Sequence, residues 1–114
     1  VADGLIVSTP EYAHGVPGTL KNALDWLVGT DALIEKPFAL LHASDRSTHA
    51  PRSLIEILTT MSGLHVAKAD VTIDLRRNDQ EADAILLDES NHAKIQASLA
   101  ILSQFILGRG SMRA

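Results

Sequence analysis

The segment at residues 9–18 carries the groups best suited to binding a ligand. It holds two prolines and two glycines in ten residues, together with Glu11, Tyr12 and His14. This composition predicts an irregular turn, because proline and glycine favour backbone angles that regular elements do not use. The turn follows the apolar run at residues 4–8 and precedes a helical pattern. Ligands bind at the carboxyl ends of the strands in an open α/β sheet, so we expect this turn to be the working part of the chain.

Histidine and cysteine, the residue types that most often bind metals, predict no metal site here. The five histidines stand at positions 14, 42, 49, 65 and 92, and no two of them have the i, i+4 spacing of a metal-binding helix. There is no cysteine, which excludes disulfides and thiolate chemistry. A cytoplasmic protein is the simplest interpretation of a cysteine-free chain.

The length and composition are those of one small globular domain. The 114 residues are 46% hydrophobic and 21% charged, which is close to ordinary globular usage and argues against disorder. Ten basic and fourteen acidic side chains give a net charge of -4, so the chain lacks the basic surface of a nucleic-acid-binding protein. No apolar run approaches the roughly twenty residues that a membrane span needs.

Three apolar runs predict the strands that position the turn. They lie at residues 3–8, at residues 38–43 after Pro37, and within residues 64–73. The first two are continuous rather than alternating, as expected for strands buried on both faces of a parallel sheet. In the third, the expected core contacts are Val66, Ala69, Val71 and Ile73. The first strand would lie at an edge, so we expect further strands or a partner chain to cover it.

Helical spacing of apolar residues predicts the remaining elements. The first predicted helix covers residues 18–28 and stops at Gly29; its buried residues would be Leu20, Ala23, Leu24 and Leu27. The second begins near Pro51 and ends at Gly63; its buried residues would be Leu54, Ile57, Leu58 and Met61. A polar loop at residues 76–80 and a short acidic helix at 81–89 would follow. The last helix would be capped by Asn91 and would place Ile95, Leu99, Leu102 and Ile106 on one face. Residues 1–108 then form a single domain, with a frayed tail at 109–114. The strand–helix alternation indicates an α/β layered fold with a parallel sheet.

Several motifs resemble the NADPH-dependent FMN reductases, a family with the flavodoxin-like fold. That family carries a pattern close to Pro-Glu-Tyr-Asn, a short polar stretch, and Pro-Gly-x-Leu-Lys-Asn-Ala-Leu-Asp-Trp. The matching residues are Pro10-Glu11-Tyr12, Pro17-Gly18 and the segment 20–26. Residues 37–44 also resemble the family's fourth strand and the loop after it. The resemblance implies a three-layer flavodoxin-like fold with a parallel sheet.

The resemblance implies an NADPH-dependent oxidoreductase that uses FMN. In such an enzyme FMN accepts a hydride from NADPH and passes electrons to a free flavin, a quinone or a similar small-molecule acceptor. A cytoplasmic homodimer or higher homo-oligomer is implied as well, with no nucleic-acid or membrane partner. The alternative is a truncated, non-catalytic flavodoxin-like domain that dimerises through its exposed strand or through the helix at residues 18–28.

The resemblance also identifies the residues that would border the flavin ring. Backbone amides and the Tyr12 ring would lie against the isoalloxazine, whose pyrimidine edge needs donors because negative charge accumulates there on reduction. Ser44 could donate a hydrogen bond to the flavin or serve as an ordinary turn serine. No catalytic side chain is assigned, because hydride transfer to flavin requires no protein acid or base. The expected cofactor-binding residues are Pro10, Glu11, Tyr12, Ala13, His14 and Ser44.

The chain departs from the family pattern in three ways. Family members begin with strands and a Ser/Arg-rich phosphate loop that are not found ahead of Val1, which suggests that an upstream segment was removed or not included. The family sheet order would place the first of those strands beside residues 4–8. Ala13 replaces the usual asparagine, and residues 45–49 replace a glycine-rich turn. Both local changes bear on flavin geometry, although the backbone N–H of Ala13 is retained.

Overall fold

A computed structural model describes residues 2–9, 15–42, 49–73 and 82–113 of the chain. The predicted loop at residues 76–80 lies outside these ranges. In chain order the elements are β1 (Leu5–Val7), α1 (Gly18–Leu27), β2 (Pro37–His42), α2 (His49–Thr60), β3 (Leu64–His65), a 3-10 helix (Ala67–Ala69), β4 (Val71–Thr72), α3 (Ala82–Leu87) and α4 (Glu89–Arg113).

The strands form one parallel sheet with β2 at its centre. β1 pairs with one side of β2, through Leu5 opposite Phe38 and Val7 opposite Leu40. β3 and β4 both pair with the other side of β2. Parallel strands joined through helices make this an α/β fold, as the strand–helix alternation predicted, and the arrangement is consistent with the flavodoxin-like fold that the resemblance implies.

The two faces of β2 are covered by different helices and carry side chains of different size. Phe38 and Leu40 are nearly fully buried on one face, where they join Leu24 of α1 and Leu54 of α2 in a core cluster. Ala39 points to the opposite face, in accordance with the alternation of side chains along a strand. The second cluster contains Ala39, Val66, Ala69 and Leu102, so α4 covers the face made of small residues.

Close packing of α4 against the sheet depends on small residues at their contact. A Cβ atom placed on Gly4, just before β1, would lie 2.7 Å from Cδ1 of Ile106. Ser98 of α4 is buried, and its hydroxyl donates a hydrogen bond of 2.5 Å to the carbonyl of Ala69. The sheet is therefore enclosed by α1 and α2 on one side and by α4 on the other, which confirms the predicted three-layer arrangement.

The predicted third strand, at residues 64–73, is broken in two by the 3-10 helix. β3 pairs Leu64 with Pro37, whereas β4 pairs Val71 with Leu41, so three additional residues lie between the two pairings on this side. This is a β-bulge larger than the usual one-residue insertion. The expected core contacts Val66, Ala69 and Ile73 are buried, and Val71 is partly buried.

Helices α1 and α2 follow their predictions closely, with small differences at the ends. Gly29 adopts φ 91° two residues after α1, which is the left-handed conformation expected at a helix stop. Ala23 is exposed rather than buried. α2 begins at His49, two residues before Pro51, which lies within the first turn as proline often does.

The start of α4 differs from its prediction because a second capping residue lies just upstream. Asp88 Oδ1 accepts a hydrogen bond of 3.0 Å from the backbone N–H of Asn91, so Asp88 is the capping residue. Asn91 lies inside the helix and is buried. The prediction that Asn91 caps this helix is therefore wrong.

The rest of α4 also departs from the predicted apolar face and tail. Leu102 is buried, but Leu99 is 49% exposed. α4 continues to Arg113, through the segment that was expected to fray. Within that segment the Arg109 guanidinium donates a 2.6 Å hydrogen bond to the carbonyl of Glu35 and lies 3.5 Å from its carboxylate. This contact connects α4 to the loop before β2.

Substituting Gly63 by alanine should destabilise the fold. A Cβ there would lie 2.9 Å from the Leu58 carbonyl oxygen and 3.1 Å from the Phe38 ring, and neither group can move freely. We expect Gly63→Ala to lower the free energy of unfolding by about 1–3 kcal/mol, in urea denaturation followed by circular dichroism. Gly18→Ala is the matched control, since nothing lies within 4 Å of its added methyl group. That variant should be neutral or stabilising by up to about 1 kcal/mol; equal losses in both would contradict the packing explanation.

Candidate functional site

The carboxyl edge of the sheet is where the described elements converge. β1, β2 and β4 are parallel and end at Val7, His42 and Thr72. α1 follows the loop after β1 and α2 follows the loop after β2, so both helices begin at this edge. The edge is thus formed by the ends of three strands and by two helix N-termini, as in ligand-binding open α/β sheets.

The six residues expected to border a flavin all lie outside the described part of the chain. These are Pro10, Glu11, Tyr12, Ala13, His14 and Ser44. The described residues on either side of them fix where their loops begin and end. Thr9 follows β1, and Gly15 precedes α1. The loop that contains Ser44 begins after His42 and ends at His49, so both loops start and finish at the carboxyl edge.

The first turns of the two helices that begin at this edge differ in charge from those of α3 and α4. Neither α1 nor α2 has an acidic side chain in its first turn, and Pro17, which precedes α1, makes no side-chain capping bond. The first amides of a helix have no intrahelical acceptor and carry partial positive charge. α3 and α4, by contrast, have Asp83 and Glu89 in their first turns. The first turns of α1 and α2 therefore add no negative charge to this edge.

Trp26 and its neighbours form an exposed apolar surface at the other end of α1. Trp26 is 78% exposed. Val28 and Ile34 are also exposed. Both line a cavity of about 290 Å³ that includes Leu33 and Met61. Exposed aromatic and aliphatic side chains of this kind are typical of interaction surfaces.

The described ranges contain neither a metal-binding cluster nor a membrane-spanning helix. Within residues 2–9, 15–42, 49–73 and 82–113, no group of three or more His, Cys, Asp or Glu side chains could hold a metal ion. No helix in those ranges combines the length and the apolar character that a bilayer crossing requires.

Asp70 is a structurally important residue that the sequence reasoning overlooked. Its carboxylate accepts a 2.8 Å hydrogen bond from the backbone N–H of Leu40 and lies 2.7 Å from Nε2 of His65. The signal that could have identified it is its position as a charged residue inside the apolar run at residues 64–73. A carboxylate in such a run is rarely buried unless its oxygens accept hydrogen bonds. Such a residue indicates a break in the strand.

Comparison with known proteins relates this geometry to a family. The sequence pattern of the family described as NADPH-dependent FMN reductase matches residues 1–78. An NAD(P)H-dependent FMN reductase of Pseudomonas aeruginosa, PA1204, is 33% identical over 110 residues, which are 92% of this chain and 60% of the relative. The chain thus spans about 60% of the length of that relative.

Two further relatives match over shorter regions. The NADH:(hydroxy)cinnamate reductase subunit CrdA of Vibrio ruber is 43% identical over 53 residues, 46% of this chain and 26% of the relative. A quinone reductase of Escherichia coli strain K12 is 65% identical over 26 residues, 23% of this chain and 14% of the relative. The family match covers more than half of the sequence and agrees with the parallel α/β architecture. The chain belongs to the NADPH-dependent FMN reductase family.

Proposed function

We propose that this chain supplies the ring-side part of an FMN site in an NAD(P)H-dependent flavin oxidoreductase. The observation that carries the proposal is the family match over residues 1–78, together with the start of α1 directly after the segment that holds the family motif. Backbone N–H groups at the start of a helix suit the flavin ring, because they stabilise the negative charge that its pyrimidine edge gains on reduction.

Within this proposal the protein binds and orients rather than transfers protons. FMN, when bound, supplies the ring that takes a hydride from NAD(P)H. Pro10 would border the ring, residues 11–14 would provide backbone donors and the Tyr12 ring, and Ser44 would provide a hydroxyl from the neighbouring loop. The buried pairing of β1 with β2 fixes the separation of the two strand ends from which these loops start.

A free flavin, a quinone or a similar small molecule is the proposed electron acceptor. The proposal follows the family description and the printed names of two relatives, a quinone reductase and an FMN reductase. A flavin edge that is open at the ends of parallel strands can be approached by a second planar molecule. We place this activity in the cytoplasm, in line with the cysteine-free sequence.

FMN should bind to the purified chain and co-elute with it on a sizing column. Because the residues assigned to the site contact the ring, riboflavin should bind this chain with an affinity within about threefold of that of FMN. We expect dissociation constants on the order of tens of micromolar from flavin fluorescence titration. Failure of both flavins to bind at such concentrations would remove the proposed site from this chain.

Replacement of Tyr12 tests the assignment of the ring contact. Stacking of an aromatic ring on the isoalloxazine contributes about 0.5–1.5 kcal/mol, so Tyr12→Leu should weaken FMN binding by about twofold to tenfold. Trp26→Leu is the matched control, because it removes an exposed aromatic at the far end of α1. An equal loss in the two variants would show that Tyr12 does not contact the flavin.

A second candidate function is that of a non-catalytic domain that acts through homodimerisation. The exposed apolar surface of Trp26, Val28 and Ile34 favours it, because tryptophan is enriched at the centres of protein interfaces. A homodimer through this surface is also compatible with the proposed flavin site, which we assign to the opposite end of α1.

Light scattering during size exclusion tests the dimer. Trp26→Lys should convert the dimer into a monomer, because it places a charge at the centre of the proposed interface. Ile6→Lys is the matched control, since Ile6 is a partly exposed apolar residue on β1, the edge strand. A monomeric wild-type chain, or dissociation by Ile6→Lys alone, would contradict an interface centred on Trp26.

A further inference from the structure

The β-bulge between β3 and β4 leaves one backbone donor of the central strand without a backbone acceptor. The carbonyl of Val66, at the start of the bulge, accepts the N–H of Ala69 within the 3-10 turn. The N–H of Leu40 in β2 therefore donates to a side chain, Oδ1 of Asp70, at 2.8 Å. Leu40 is only 2% exposed, so loss of that acceptor would leave a buried amide without a partner.

The second oxygen of the same carboxylate is also engaged. Oδ2 of Asp70 lies 2.7 Å from Nε2 of His65, and both side chains are about one-fifth exposed. An ionised carboxylate can only accept, so Nε2 is the donor. The His65 ring stacks on Phe38 with a centroid distance of 5.1 Å and an interplanar angle of 17°. The carboxylate of Asp70, the residue just before β4, thus joins β2 and β3 through Leu40 and His65.

Asp70 stands immediately before the pairing that forms the carboxyl edge. Leu41 lies opposite Val71 and His42 opposite Thr72, and the N–H of Ile73 donates to the carbonyl of His42 at 2.8 Å. The other half of β2 is held separately, for example by the 2.8 Å hydrogen bond from the Val66 N–H to the Phe38 carbonyl. The two halves of β2 are therefore paired on either side of the bulge.

We propose that Asp70 is a positioning residue, whose carboxylate holds the carboxyl-terminal half of β2 against β4 and so fixes the strand end at the proposed flavin site. The inference rests on the proposed function for its link to flavin, but the positioning itself concerns described residues only. Asp70 touches no substrate or cofactor in this role. It acts through the Leu40 amide and through His42.

Amide hydrogen exchange followed by NMR tests the positioning directly. In Asp70→Ala, exchange at Leu40 and Ile73 should be at least tenfold faster, whereas exchange at Val66 should change less than threefold, because only the carboxyl-terminal half of the pairing is released. Asp70→Asn retains an acceptor for the Leu40 N–H and should restore protection at Leu40 and Ile73 to within about threefold of wild type. Equal acceleration at Ile73 and Val66 would mean a general loss of stability and would overturn the proposal.

FMN titration connects the same variants to the site. Asp70→Ala should bind FMN at least fivefold more weakly at a temperature where circular dichroism shows it folded, and Asp70→Asn should bind within twofold of wild type. Glu56→Ala removes an exposed carboxylate on α2 and is the matched control. Unchanged FMN affinity in a folded Asp70→Ala variant would overturn the link to the site. If wild type itself fails to bind FMN, the proposed function fails, while the exchange rates still decide whether Asp70 positions the strand end.

Discussion

Burial of β2 between two helical layers is the constraint on which the rest of this structure depends. A strand covered on both faces must offer apolar side chains in both directions and must satisfy every backbone group along its length. Phe38 and Leu40 meet the first demand toward α1 and α2, and Ala39 meets it toward α4. The second demand is met by β1 on one side and, on the other, by two short strands and the Asp70 carboxylate.

The organisation of the carboxyl edge follows from that central strand. Because β1, β2 and β4 are parallel, their ends and the starts of α1 and α2 coincide. Neither helix has an acidic side chain in its first turn, so α1 and α2 add no negative charge at their starts. Membership in the FMN reductase family supports the proposed flavin ligand by a separate route, through the motif residues.

The sequence predicted those parts of the fold in which a single physical signal dominates. The continuous apolar run of β2, bounded by Pro37, and the helical spacing of Leu54 and Leu58 are strong signals, and both elements were located to within three residues. The start of α4 was missed because Asp88 and Asn91 are both good capping residues and lie only three positions apart.

The bulge could not be predicted from apolar pattern alone. Residues 64–73 read as one strand unless Asp70 is recognised as an internal acceptor, and its partner Leu40 is 30 residues away in the chain. The order of strand, turn and helix predicts a candidate site at the carboxyl edge of the sheet. Its individual residues, however, depend on the family motif, because periodicity indicates where a loop starts but not which of its atoms face a ligand.

The unequal size of the side chains on the two faces of the sheet has a consequence for how this sequence can diverge. The layer toward α1 and α2 contains bulky groups such as Phe38 and Leu54, and divergence there would proceed by exchange among large aliphatic and aromatic residues that conserve volume. The layer toward α4 is built around Gly4, Ala39 and Ala69, where the permitted exchanges are confined to the smallest residues. The two faces of the sheet would thus accept different sets of amino acids during divergence. The distance between α4 and the sheet would be conserved even after the opposite layer had been repacked.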